Sequence, residues 1–95
     1  MSDKMDFDWD PAKAAKNLTK HHVSFNEAKS VFDDSLAGYF QDEEHSELEV
    51  RELVIGYSNQ ARLPMVWFNE RDDGIRLITA RAATAAERKD YEDNQ

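Results

Sequence analysis

The sequence has no cysteine, two prolines and three glycines among 95 residues. Without thiols there is neither a disulfide framework nor a thiolate metal centre, so stability must come from a packed core. Cysteine-free chains suit a reducing compartment, and the expected location is the cytoplasm. With so little proline and glycine there is no linker or low-complexity tract, and no internal repeat is present. Long hydrophobic runs are missing too. Nothing approaches the ~20 apolar residues that span a bilayer, and the opening MSDKMDFDWD has no apolar core of a signal peptide. The expectation is a single domain over residues 1–95 with no membrane partner. Positive charge is the minority, 12 bases against 20 acids, for a net charge of −8. Such a field serves solubility, repels polyanions at long range and favours a basic partner protein. RNA chemistry on this chain would need a local cluster of Lys and Arg to override it.

What is present is 40% apolar residues, including five Phe, three Tyr and two Trp, enough for a globular core. Phe7 and Trp9 alternate with aspartates, the period of a short half-buried strand. Asp10 followed by Pro11 marks a helix start, and Ser24 with Glu27 marks another as a capping box. The first helix, about Pro11 to Lys20, offers Ala12, Ala15, Leu18 and the Thr19 methyl as its apolar side. Lys13, Lys16 and Lys20 share a face near Asn17. The second, about Phe25 to Asp33, buries Phe25, Ala28, Val31 and Phe32. Between them Lys20, His21 and His22 form a basic corner.

Strands follow at Leu36 to Phe40, Glu49 to Tyr57, Arg62 to Asn69 and Ile75 to Arg81, with an acidic loop from Gln41 to Glu47 and an Asp73-Gly74 hairpin signal. Pro64 argues for an edge strand or a bulge near the strand start. In the last strand Ile75, Leu77 and Thr79 alternate against Arg76, Ile78 and Ala80. One sheet face is expected to bury Val54, Met65, Trp67 and Ile78. Thr84 and Glu87 form a further capping box, opening a helix from Ala85 to about Glu92. The order predicts an α+β fold: an antiparallel sheet of about four strands packed with two N-terminal helices and one C-terminal helix.

Several separated motifs then resemble one family. Phe7-Asp8-Trp9-Asp10-Pro11-x-Lys13-Ala14, Asn17-x-x-Lys20-His21, Val23-Ser24-Phe25-x-x-Ala28 and Val31-Phe32-x-Asp34 look like the opening of BrnT-type toxins. The second half agrees at Arg51, Ile55-Gly56-Tyr57-Ser58, Glu70-Arg71, Ile75-Arg76-x-Ile78-Thr79-Ala80-Arg81 and Thr84-x-x-Glu87-Arg88-x-x-Tyr91. The resemblance runs from about Asp6 to Tyr91. It implies a RelE-like fold and a toxin of a bacterial type II toxin–antitoxin module that cleaves RNA without a metal and inhibits translation. It also implies neutralisation by a BrnA-type ribbon-helix-helix antitoxin, in a complex of two copies each, with operator DNA bound only through the antitoxin. The chain departs from the family at His22, where Gly is usual, and at Ala82, where Lys is frequent. Its acidity is a further departure.

Metal-free cleavage of a phosphodiester needs a base for the 2′-OH, a cation for the phosphorane and an acid for the leaving 5′-oxygen. Histidine suits the proton transfers, with an ordinary pKa of ~6.5. Lysine and arginine suit the phosphate, arginine bidentately. Lys20, His21 and Arg81 are the expected catalytic set, with Lys13, Lys16, Arg51, Arg62 and Arg76 as substrate-binding cations; no cofactor or metal is assigned. Adjacent histidines at 21 and 22 lack the i, i+4 spacing of a helical metal site. Each residue has another explanation. Lys20 and His21 complement the negative end of a helix dipole, worth about 0.3–1 kcal/mol each. His22 suits a turn that needs positive φ, and both tryptophans suit a core. The acidic loop from Asp42 to Glu49 is either solvated or a docking surface for a basic antitoxin. A second reading therefore makes the chain a non-catalytic, antitoxin-binding half of an operon-repressing complex. A third makes it a structural domain without a partner.

Overall fold

A computed structural model describes residues 6–45 and 50–95. The ends of the chain's first segment and of the acidic loop, residues 1–5 and 46–49, lie outside the described residues. The elements are β1 (Asp6–Asp8), α1 (Pro11–His21), α2 (Phe25–Ser30), β2 (Gly38–Gln41), β3 (Glu52–Ile55), β4 (Pro64–Arg71), β5 (Gly74–Ala82) and α3 (Ala85–Asp93). Single 3₁₀ turns at Val31–Asp33 and Glu43–His45 follow α2 and β2.

The sheet has five strands in the order β1-β5-β4-β3-β2. This corrects the expectation of four antiparallel strands. The short Phe7 segment joins the sheet parallel to β5, pairing Phe7 with Ile75. Gly74 permits this: a Cβ there would stand 2.0 Å from the Asp6 carbonyl oxygen. The glycine of the hairpin signal thus serves a close approach, and no glycine has positive φ. β4 is a central strand, which corrects the expectation of an edge strand; Pro64 is tolerated because it is the first residue of the strand, where a missing N–H costs least.

Helices cover both faces. Phe25, Ala28 and Val31 pack on Val54, Val66, Phe68, Leu77 and Ala80 on one face. On the other, Tyr91 of α3 packs on Ile55, Leu63 and Met65. Val54 and Met65 therefore bury on opposite faces, not together as their apolar character alone predicts. The cause is the pleat: Val54 stands opposite Val66, and Met65 opposite Ile55. A register shift at Trp67/Phe68 breaks the alternation of β5 as well. Leu77 and Ala80 both join the helix-side core, and Thr79 and Arg81 turn to the other face. A bulge re-aims side chains in this way.

The first helix inverts its expected orientation. Leu18 is 50% exposed, and Ala12, Ala15 and Thr19 also face outward, whereas Ala14, Asn17 and His21 turn inward. The reason is polar. Asn17 is buried and fully bonded: Nδ2 donates to the carbonyls of Val23 and Ala80, each at 2.9 Å, and Oδ1 accepts from Thr79 Oγ1 at 2.9 Å and Ala80 N at 3.0 Å. Only three residues of β5 pair with β1. Asn17 completes the β5 edge beyond them and fixes α1 against it.

Caps set the helix ends. Asp10 Oδ1 accepts from Ala12 N, and Thr84 with Glu87 forms a reciprocal capping box. Ser24 caps α2 by accepting from Glu27 N, yet the Glu27 carboxylate does not return the bond as a full box requires. It is drawn away to Arg62 and to Ser58 Oγ, the latter at 2.7 Å.

Candidate active site

The end of α1 carries the corner that the two helix signals define. His22 sits at φ 60°, ψ 29°, and its N–H closes the helix on Leu18 O at 2.9 Å. It fills the left-handed position that glycine favours. His21, the last helical residue, points into a cavity of about 460 Å³ on the α3-side face of the sheet. Leu53 and Trp67 line it together with Thr79, Arg51 and Arg81, and Gln41, Asp42 and Glu44 form the remaining wall.

Arg81 is held firmly. Its Nη1 and Nη2 donate to the two carboxylate oxygens of Glu87 at 2.8 and 3.0 Å, and Nη1 also donates to Ala82 O at 3.1 Å. Its guanidinium lies 5.3 Å from the centre of the Trp67 ring, a cation–π distance. The hydrogen bonds from Arg81 push the Glu87 carboxyl down to about 2, and Glu87 in turn raises Arg81 above its ordinary value. Thr79 Oγ1 is committed to Asn17, so the same asparagine that fixes α1 also fixes one lining side chain.

A second cleft, about 240 Å³, adjoins the first through their shared residue Arg51. Lys13, Arg71, Arg76 and Asn69 line it. Arg76 Nη1 also pairs with Asp8 at 3.3 Å. Four cationic side chains therefore gather on one sheet face in a chain whose total charge is −8.

Of the catalytic residues expected from the sequence, the structure brings His21 and Arg81 into one cavity and leaves Lys20 exposed outside its lining. Of the expected phosphate-binding cations, Arg51, Lys13 and Arg76 line the two clefts, while Lys16 is exposed elsewhere on α1. Arg62 is placed away from both. Its Nε donates to Glu27 Oε2 at 2.9 Å, its Nη2 donates to Glu27 Oε1, and Nη2 also donates to His22 O at 2.8 Å. Sequence reasoning missed Trp67, Thr79 and Glu87 as site neighbours. The capping-box pattern drew attention to Glu87 but gave no sign of Arg81. Among the described residues, no three His, Asp or Glu side chains converge as metal ligands.

Fold and cavity together define a small α+β protein with a cation-lined pocket on one face of a mixed sheet. Its family is the one described as ribonuclease toxin, BrnT, of type II toxin–antitoxin systems: that family's model matches residues 9–87, and the chain belongs to it. The crystal structure of the Brucella abortus ribonuclease toxin BrnT is similar in fold, with a TM-score of 0.65 at 23% identity over 85% of this chain and 99% of that one. No curated protein matches the sequence. No helix among the described residues is long and apolar enough to cross a membrane.

Proposed function

We propose that the chain is the toxin of its module and cleaves RNA in the His21–Arg81 pocket without a metal, thereby inhibiting translation. The observation that carries this reading is the convergence of His21 and Arg81 on one cavity from opposite ends of the sequence. His21 serves as the general acid or base. As base it takes the 2′-OH proton while O2′ attacks phosphorus, and the imidazolium so formed returns that proton to O5′ as the bond from phosphorus to O5′ breaks. Arg81 stabilises the charge of the phosphorane. Three of its five N–H donors are committed to Glu87 and Ala82, which leaves two for phosphate oxygens. Trp67, its ring face taken by the Arg81 guanidinium, and Leu53 give the pocket an apolar floor. Arg51 leads the strand on to the cleft of Lys13, Arg71 and Arg76, a path for successive phosphates. Lys16 and Lys20 add positive potential from outside the pocket.

The neutralising partner is a BrnA-type ribbon-helix-helix antitoxin in a complex of two copies each, through which the pair reaches operator DNA. Support comes from membership of a type II toxin family and from the acidic surface, which suits a basic protein.

The test incubates purified protein with a long RNA in excess chelator, alongside His21→Ala, Arg81→Ala and Lys20→Ala. Cleavage is expected to survive chelation and to fall by about 10²-fold or more for His21→Ala, with a similar loss for Arg81→Ala and a smaller one for Lys20→Ala. Cleavage that persists in both pocket variants would sink the assignment. A second reading, a non-catalytic antitoxin-binding chain, draws on the Glu87 carboxylate that already neutralises Arg81. It predicts no cleavage and no growth defect when the chain is expressed alone.

A further inference from the structure

The sheet face that carries the pocket continues past Arg81. Beyond the Arg81–Glu87 pair lies a groove of about 450 Å³ between β2, the middle of the sheet and α3. Phe40, Ile55, Met65 and Tyr91 give it apolar walls, and Glu87 and Asp90 stand in its lining. Phe40 is 56% exposed and Leu36, just ahead of β2, 65% exposed. A stretch of apolar surface bordered by charge marks an interaction site more often than a plain surface does. β2 also ends the sheet order, so its outer backbone groups face no further strand among the described residues, an edge that extended peptides use.

Charge decides what the groove accepts. Along this one face the lining changes from Lys13, Arg51, Arg71 and Arg76 around a single Asp10 at one end, through the mixed His21, Arg81, Asp42 and Glu44 of the pocket, to Glu87 and Asp90 at the other. RNA is drawn to the first end and repelled from the second. A polypeptide with the opposite pattern, apolar with a cation, complements the second end.

We propose that this groove docks an extended, cation-bearing amphipathic segment of the antitoxin. One apolar side chain seats against Phe40, Ile55, Met65 and Tyr91, and a Lys or Arg meets Asp90 and Glu87. The proposal rests on the reading of the chain as an antitoxin-neutralised toxin. Glu87 links the two cavities, since it lines the groove and its carboxylate holds Arg81, which lines the pocket. An occupant that takes this carboxylate competes with Arg81 for it, which couples docking to the pocket.

The test measures binding of the purified product of the neighbouring gene by calorimetry, for the intact chain, Phe40→Asp and Asp90→Asn, with RNA cleavage followed in parallel. Both positions are exposed and outside the His21–Arg81 pocket. Each substitution is expected to weaken binding about tenfold or more while RNA cleavage stays unchanged. In the complex of the intact protein, amide exchange across Gly38–Gln41 is expected to slow, a readout that needs no variant. Affinity unchanged in both variants, or no added protection at β2, overturns the groove and leaves the partnership standing. No complex with the intact chain overturns the partnership and the groove together. Altered cleavage in Asp90→Asn with unchanged partner affinity assigns the groove to RNA and overturns the proposal.

Discussion

The side-chain amide of Asn17 meets the backbone N–H and C=O of Ala80 at 3.0 and 2.9 Å, as a neighbouring strand would. This pairing sets the axial position and rotation of α1, and so decides where His21 stands one turn further on. It also explains why the helix leaves Leu18 in solvent. A buried amide with every donor and acceptor satisfied specifies a geometry more sharply than an apolar stripe, because each misplacement strands a polar group.

Asn17→Leu keeps the number and branching of the side-chain heavy atoms and removes all four bonds. It leaves the Ala80 N–H and the Val23 carbonyl without partners, at about 1–3 kcal/mol for each buried unsatisfied group. The expected loss is about 3 kcal/mol in urea unfolding. RNA cleavage should fall more steeply than the folded fraction, because Thr79 and His21 lose their positions.

Arg62→Ala separates stability from site chemistry. Glu27 is 2% exposed, and Arg62 with Ser58 holds its carboxyl below the ordinary range. Removing the guanidinium, whose side chain is 42% exposed, leaves the Glu27 carboxylate with Ser58 Oγ alone, a loss that solvent screening limits to about 1–3 kcal/mol. Cleavage per folded molecule should stay at the level of the intact protein. A selective loss of RNA affinity at unchanged stability would return Arg62 to the substrate path.

Glu52 gives the protein a pH dependence near neutrality. Burial, then the hydrogen bond and charge of Glu70, push its carboxyl up to about 7 from an ordinary 4.5. The folded state therefore holds this proton more tightly than the unfolded chain does. The associated stability is full below about 4.5 and is lost as pH rises through about 7. Glu52→Gln should flatten thermal stability across that window and raise Tm at pH values above it. An unchanged slope would show that the pair does not form.

Glu87 acts in the opposite direction. The Arg81 hydrogen bonds lower its carboxyl from 4.5 to about 2. Its contribution is fully present above 4.5 and disappears as pH falls through about 2. In acid titrations followed by circular dichroism, Glu87→Gln should remove this part of the low-pH decline.

His22→Gly tests the corner itself. A non-glycine residue in the left-handed region carries roughly 1–2 kcal/mol of strain, and glycine costs about 0.5–1 kcal/mol in the entropy of the unfolded chain. The variant is expected to gain about 0.5–1 kcal/mol in denaturant unfolding with cleavage unchanged. Loss of cleavage would give the His22 imidazole a role in the pocket.

The local grammar of this protein is written in its sequence. Asp10-Pro11, Ser24 and Thr84 each begin a helix because a side-chain oxygen satisfies an otherwise unpaired backbone N–H in the first turn, a contact within three residues. The β-rich runs become strands, His22 takes the left-handed turn, and the ordered motifs lead to the family. His21 and Arg81 were visible as candidates because their chemistry suits phosphate. Tertiary structure decided what depends on distant partners. Only docking at the β5 edge shows that Asn17 outweighs the apolar side of α1. A bulge between β4 and β5 puts Thr79 and Arg81 on the pocket face, and Glu27 abandons its capping box for Arg62. Residue type and spacing encode short-range hydrogen bonds, but strand register and the pairing of remote charges exist only once the sheet has closed. That is why the sequence could nominate the histidine and the arginine, while the fold alone put Trp67 beneath the guanidinium and Glu87 across it.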